Sequence, residues 1–93
     1  MKIALRDKAV ADLEAIHAYI AKDSPQNAGK VLLRILETIT DLIAVFPGVG
    51  HAGRVKGTRE LPVPGLPYII VYRMDAGRGI VHVENVVHGA RER

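Results

Sequence analysis

Residues 57–91 read GTRELPVPGLPYIIVYRMDAGRGIVHVENVVHGAR, and the punctuation of this stretch constrains the whole chain. Three runs rich in Val, Ile and Tyr, at Arg59–Val63, Tyr68–Met74 and Ile80–His88, are separated by Pro64-Gly65 and by Asp75-Ala76-Gly77. β-Branched and aromatic runs of this length, broken by Gly, Pro and Asp, are the sequence form of adjacent antiparallel strands. In the middle run Tyr68, Ile70, Tyr72 and Met74 share one face, and Ile69, Val71 and Arg73 share the other. Both faces are largely apolar, which predicts a central strand. In the last run Val81, Val83 and Val87 share a face with Asn85, while His82, Glu84, Val86 and His88 take the other. The alternation frays at Glu84-Asn85-Val86, which predicts a β-bulge there.

The first half of the chain has a different period. Lys2–Arg6 alternates with Ile3 and Leu5 on one face, the pattern of a short strand. Asp7 is placed to cap the helix that follows, in which Ala9, Leu13, Ile16 and Ile20 form an apolar stripe. Ser24 is a second N-cap, and Pro25 fits the first position of a second helix, where its missing N–H costs nothing. That helix carries Ala28, Leu32, Ile35, Ile39, Leu42 and Phe46 at alternating steps of four and three, one straight seam over roughly six turns. Val31 and Ile43 widen the seam enough for it to touch both the first helix and a sheet. Pro47-Gly48 ends it. The short connection between the helices makes residues 7–46 an antiparallel hairpin. Tyr19 and Phe46 are expected in the core.

These elements predict one α+β domain over residues 1–93, in the order β-α-α-β-β-β: an antiparallel sheet with a helical hairpin packed on one face. Ninety-three residues fold alone with little surplus core. Trp is absent and aromatics are few, so the core is expected to be aliphatic. Cysteine is absent, which excludes disulfides and thiolate metal sites. No segment has the form of a signal peptide or membrane span, and a cytoplasmic location is the expectation.

Charge is unevenly distributed. Residues 1–50 hold six Lys and Arg and six Asp and Glu, whereas residues 51–93 hold seven against four. The whole excess of +3 therefore belongs to the sheet half, a pattern that suits an acidic or polyanionic partner. Residues 47–57, PGVGHAGRVKG, read as a flexible loop whose cations His51, Arg54 and Lys56 are free to approach a partner. Gly48 to Gly53 spell G-x-G-x-x-G, but after a helix and before a strand, the reverse of a dinucleotide site. His82, Glu84 and His88 do not make a metal site on one strand, because about 20 Å of strand separates the two histidines. No metal or other cofactor is expected.

Order and spacing of these pieces resemble the RelE/ParE superfamily of toxins from bacterial type II toxin–antitoxin modules. The likeness rests on Asp12-Leu13, on Pro47 and Gly50, and on a series from Gly57 onward. That series comprises Arg59-Glu60-Leu61, Pro67-Tyr68-Ile69-Ile70, Tyr72-Arg73 and Val86-Val87-His88-Gly89-Ala90-Arg91. The long hairpin and the C-terminal series look more like the ParE side. The resemblance implies a growth-inhibiting toxin with a cognate acidic antitoxin that contacts operator DNA, and through which alone this chain would reach it. Two modes of action are implied by it: ParE-type poisoning of DNA gyrase, or RelE-type cleavage of mRNA on the ribosome.

An mRNA-cutting centre needs a base for the 2′ proton, cations around the phosphorane and an acid for the leaving oxygen. On the resemblance His88 would be the acid, with Arg59 and Arg73 on the phosphate and His51 a second acid–base group. Structural roles stand beside these: Arg73 pairing with Glu60 or Glu84, Arg59 pairing with Glu84, and His88 bonded to backbone at a strand end. The nuclease pattern also lacks a Tyr after the last strand, a Lys pair beside Arg59 and a carboxylate base. Gyrase poisoning is therefore the leading expectation, with Arg91, Arg93, Arg54, Lys56 and His51 as target-binding residues.

Overall fold

The structure, a computed structural model, describes residues 1–90. It contains β1 (Lys2–Leu5), α1 (Asp7–Ala21) and α2 (Pro25–Glu37), which runs on into a π-helical turn over Thr38–Ile43. A 3-10 turn at Pro47–Val49 leads to β2 (His51–Ala52), β3 (Arg59–Pro62), β4 (Tyr68–Asp75) and β5 (Ile80–His88). The sheet order is β1-β5-β4-β3-β2, so β4 is central, as its two apolar faces predict. Pairs β2–β3, β3–β4 and β4–β5 are antiparallel. The pair β1–β5 is parallel, which makes the sheet mixed. A parallel pair needs a long connection, and almost the entire chain lies between these two strands.

Ser24 caps α2 as expected: its Oγ accepts from the Asn27 N–H at 3.1 Å, and Pro25 opens the helix. Asp7 does not cap α1. Arg6 occupies the N-cap with no side-chain bond, and Asp7 is the first helical residue, where its charge still favours the helix N-terminus.

The seam of α2 does not run straight to Phe46. Ala44 N–H bonds the Ile39 carbonyl at 2.9 Å, five residues back, and this wider turn changes the phase of the residues beyond it. Thr38 and Thr40 lie at this change, their hydroxyls bonding back to Arg34 O at 2.8 Å and Leu36 O at 3.1 Å. Ala28, Val31, Ile35, Ile39 and Ile43 are buried, whereas Phe46 is 62% exposed. The core placement expected for Phe46 is therefore wrong, and so is that of Tyr19, which is 57% exposed.

The β-bulge lies where the sequence frays. Val71 faces Asn85 and Tyr72 faces Val83, which leaves Glu84 as the extra residue of β5. Side-chain parity flips there. Val86, facing Ile70, joins Val81 and Val83 in the core beneath the helices, and Val87 falls on the other face. Ile35, Ile39 and Ile43 pack with Ile70, Tyr72 and these valines into one core, largely aliphatic as predicted.

Candidate functional site

The helices cover one face of the sheet. On the opposite, outer face the bulge assembles the principal charged cluster. Glu84 reaches two arginines at once: its Oε1 lies 3.3 Å from Arg73 Nε on β4, and its Oε2 lies 3.4 Å from Arg6 Nε after β1. Of the pairings open to Arg73, the structure selects Glu84. Arg73 Nη1 also donates to the Lys56 carbonyl at 3.2 Å. His82 stands opposite Arg73 in register, and its buried Nδ1 has no hydrogen-bond partner among the described residues.

The bulge also needs support from α1. β1 gives way to α1 beside Val83, with Arg6 N–H donating to Val83 O at 3.0 Å, so no strand continues alongside the end of β5. Asp12 substitutes for it: its Oδ2 accepts the Val86 N–H at 2.9 Å, while Oδ1 pairs with Lys8. A buried backbone donor without such a partner costs about 1–3 kcal/mol, so this bond holds the bulged end of β5 against α1.

Arg59 is engaged elsewhere than expected. It does not pair with Glu84; its Nη1 donates to the carbonyls of Gly50 at 2.7 Å and Gly48 at 3.4 Å. Tyr72 completes this latch, its hydroxyl donating to Pro47 O at 2.7 Å and accepting from Gly50 N–H at 2.9 Å. Gly50 is required by the fit, since a Cβ there would stand 2.7 Å from that hydroxyl. The G-x-G-x-x-G spelling thus reflects close packing of a turn against a tyrosine.

The three residues of the nuclease expectation do not converge. Arg59 lies opposite Tyr72 on the helix side, and Arg73 is the next residue of β4, on the outer side. His88 lies opposite Tyr68, four residues further along β4, or about 13 Å. Its ring meets Tyr68 edge-on at 5.6 Å, and the Ala90 N–H donates to its Nδ1 at 3.2 Å, which leaves Nε2 to bear the proton of the neutral ring.

The loop that carries His51, Arg54 and Lys56 is strapped down rather than loose. His51 and Ala52 pair with β3, Gly53 N–H bonds Thr58 O at 2.8 Å, and Arg54 N–H bonds the buried Glu60 carboxylate at 3.1 Å. The side chains of His51, Arg54 and Lys56 remain exposed. Arg91 and Arg93 lie outside the described residues.

Among the described residues, Tyr19, Leu33 and Val55 are exposed apolar side chains, and two apolar features bear on binding. Val45, Phe46 and Val49 project into solvent around the latched turn. A groove of about 470 Å³ runs between α1, α2 and the end of β1, lined chiefly by Leu5, Val10, Leu13, Leu32 and Leu36, with Glu14 and His17 at its side. Among the described residues no group of three His, Asp or Glu is placed to hold a metal ion, and no helix is long and apolar enough to cross a membrane.

Sequence reasoning missed Arg6 and the bonding role of Asp12. The frayed alternation at Glu84 and the cross-strand pairing of Arg73 with Glu84 pointed to this region. Nothing local in the sequence says that Arg6 and Asp12 meet β5, because the parallel pairing brings them there.

Comparison with known proteins places the chain. The family model for the ParE toxin of type II toxin-antitoxin system, parDE, matches residues 3–93. The chain is 40% identical over 85 residues to "Putative toxin Y4kP" of Sinorhizobium fredii, covering 91% of this chain and 84% of that protein. It is 37% identical over 84 residues to Toxin RelE2 of Caulobacter vibrioides, covering 90% of each. Among solved structures it resembles a chain of the chromosomal ParDE TA system from P. aeruginosa, with a TM-score of 0.81, 26% identity and 95% of each chain covered. A match to nearly the whole sequence, on a fold with the same order of elements, shows that the chain belongs to the ParE toxin family of type II toxin–antitoxin systems, within the RelE/ParE superfamily.

Proposed function

We infer that this toxin inhibits growth by binding and poisoning DNA gyrase, and that an acidic cognate antitoxin holds it in check. The observation that carries the first half is the dispersal of the nuclease candidates. Arg59 is latched to the Gly48 and Gly50 carbonyls, Arg73 is paired with Glu84, and His88 stands at the far end of β5. General acid catalysis and phosphorane stabilisation need their groups within hydrogen-bond reach of one phosphate. Arg73, however, lies on the opposite face of the sheet from Arg59 and His88, and those two are about 13 Å apart along the strands. Contact surface, by contrast, is present. An exposed Phe46 with Val45 and Val49, and the cations His51, Arg54 and Lys56 within ten residues of it in the chain, have the composition of a protein-binding patch. Arg91 and Arg93 belong to the same proposed target-binding set.

The antitoxin reading rests on the groove between α1, α2 and β1, an apolar surface on a small domain that calls for cover. An amphipathic segment that folds on binding suits it, and acidic residues on that segment suit the positive half of the sheet. Contact with operator DNA would then come through the antitoxin.

The test runs a gyrase supercoiling assay beside a ribosome-primed mRNA cleavage assay, each with wild type and His88→Ala. Wild type is expected to inhibit gyrase and leave mRNA intact, with His88→Ala still toxic and losing at most about 1–2 kcal/mol of target affinity. Cleavage by wild type that falls by about 10²–10⁴ in His88→Ala would identify a RelE-type enzyme instead. Antitoxin affinity is expected to fall between low and high salt; constant affinity would remove its electrostatic basis.

A further inference from the structure

Glu84 is the best-covered member of the cluster on the outer face. Its side chain is 26% exposed, against 41% for Arg73 and 60% for Arg6. The bulge gives β5 a residue with no counterpart on β4, and that residue sits between a guanidinium from either side. Arg6 follows β1 and Arg73 belongs to β4, so their backbones flank β5 at about two strand spacings, roughly 10 Å. Two guanidiniums that converge on the paired oxygens of one carboxylate also suit the two non-bridging oxygens of a phosphodiester. Lys56 is exposed next to Arg73, which bonds its carbonyl, and the buried Nδ1 of His82 lies unpartnered opposite. Among the described residues two further carboxylates lie on this face: Asp75 is held by Arg78, and the buried Glu60, opposite Val71, accepts from the Arg54 N–H.

The geometry points to Glu84 as an internal stand-in for a nucleic-acid phosphate: it fills a phosphodiester site formed by Arg6 and Arg73, and thereby keeps single-stranded RNA off the outer face of the sheet. A strand arriving there has to break both ion pairs and bring its phosphate against a carboxylate anchored in a bulge. Discrimination of this kind works by repulsion of the wrong ligand. Glu84 is thus a specificity-determining residue, and its effect does not depend on which protein the toxin inhibits.

Fluorescence anisotropy of a short labelled oligouridylate, across a salt series, tests this. Glu84→Gln keeps the side-chain length and removes the charge. It is expected to bind about tenfold or more tightly than wild type at low salt, the order of effect of one unit charge removed at ion-pair distance. Its log–log salt slope should steepen by about 0.7 for each phosphate gained. Adding Arg6→Ala to Glu84→Gln should return binding to the wild-type level. Equal binding by wild type and Glu84→Gln overturns the proposal, as does a gain that survives Arg6→Ala. Preference of Glu84→Gln for an oligoglutamate competitor over the RNA would overturn the assignment to phosphate. Circular dichroism and thermal melting verify folding. Glu84→Asp, too short to reach both arginines, provides a second variant in which a smaller gain is expected and unchanged binding counts equally against the idea.

Discussion

Strand β5 and helix α2 each carry an irregularity, with unlike consequences. In β5 the extra residue is Glu84, and because strand side chains alternate with a period of two, one added residue exchanges the faces for everything beyond it. Val86 turns into the core beneath the helices, Val87 turns to the outer face while staying buried, and a carboxylate is left on that face between two arginines. In α2 the π-turn over Thr38–Ile43 shifts the phase by a fraction of a turn, since one residue is about 100° of an α-helix. Ile43 stays in the core and Phe46 moves out. The bulge thus makes a polar cluster and needs a partner for a stranded N–H, whereas the π-turn makes an apolar projection and satisfies its own backbone. An insertion in a strand reassigns a whole face; an insertion in a helix steers a seam.

The helical side of this comparison breaks most visibly at Ile43. Its side chain is fully buried, and Ile43→Ala is expected to cost about 2–5 kcal/mol in urea unfolding, from lost transfer energy and the cavity left behind. A straight α-helical seam would place the burden on Leu42 and Phe46 instead. A cost at Ile43 below that at Phe46 would show that the π-turn does not persist in solution.

On the strand side the sensitive residue is Asp12. Asp12→Ala strands the Val86 N–H, at an expected cost of about 1–3 kcal/mol. Hydrogen exchange at the Val86 amide should accelerate more than at Val83, which lies before the bulge. Asp12→Asn retains an acceptor oxygen and should lose less. Equal losses for Ala and Asn would mean that the Lys8 pair, rather than the bond to β5, carries the effect.

Tyr72 joins the two regions, because its ring is buried in the sheet core while its hydroxyl fixes the turn after α2. Tyr72→Phe keeps the packing and leaves the Gly50 N–H and the Pro47 carbonyl without that hydroxyl. About 1–2 kcal/mol is expected, with Arg59 still holding the Gly48 and Gly50 carbonyls. A loss within 0.5 kcal/mol, the level of about an ordinary surface change, would mean that water replaces the hydroxyl and that Arg59 suffices as the latch.

How legible each irregularity is in the sequence differs for a physical reason. In β5 the placement of Asn85 among Val81, Val83 and Val87 broke a period of two, and a break in so short a period is conspicuous. In α2 the sequence offers apolar residues for either phase: Leu42 and Phe46 continue the straight seam, Ile43 the shifted one. Periodicity alone could not choose, since the choice depends on which residue meets the sheet. The α+β architecture, the hairpin and the central position of β4 could be read from pattern and turn residues. The parallel pairing of β1 could not, being a contact between the two ends of the chain, and the charged cluster was hidden with it. Arg73 and Glu84 could be paired as cross-strand neighbours, whereas Arg6 enters only through β1.

The smallest stability effect, and the sharpest test of what the π-turn is for, belongs to Phe46→Ala. Phe46 is 62% exposed, so its removal should change unfolding free energy by no more than about 0.5 kcal/mol, the range for surface positions. The turn that presents it is held by Arg59 and Tyr72 independently of the phenyl ring, so the neighbouring backbone should keep its place. An exposed aromatic side chain carried on a held turn has the form of an interface anchor, whose truncation costs about 2 kcal/mol or more of partner affinity. Phe46→Ala should therefore fold like wild type and, on the gyrase-poisoning proposal, bind gyrase more weakly, with growth inhibition reduced to match. A loss of stability above 1–2 kcal/mol, the range for about one buried contact, would mean that the ring packs against the core and that the π-turn does not expel it. Unchanged stability together with unchanged gyrase binding would remove this projection from the target surface and leave the cations of the β2–β3 loop to make the contact.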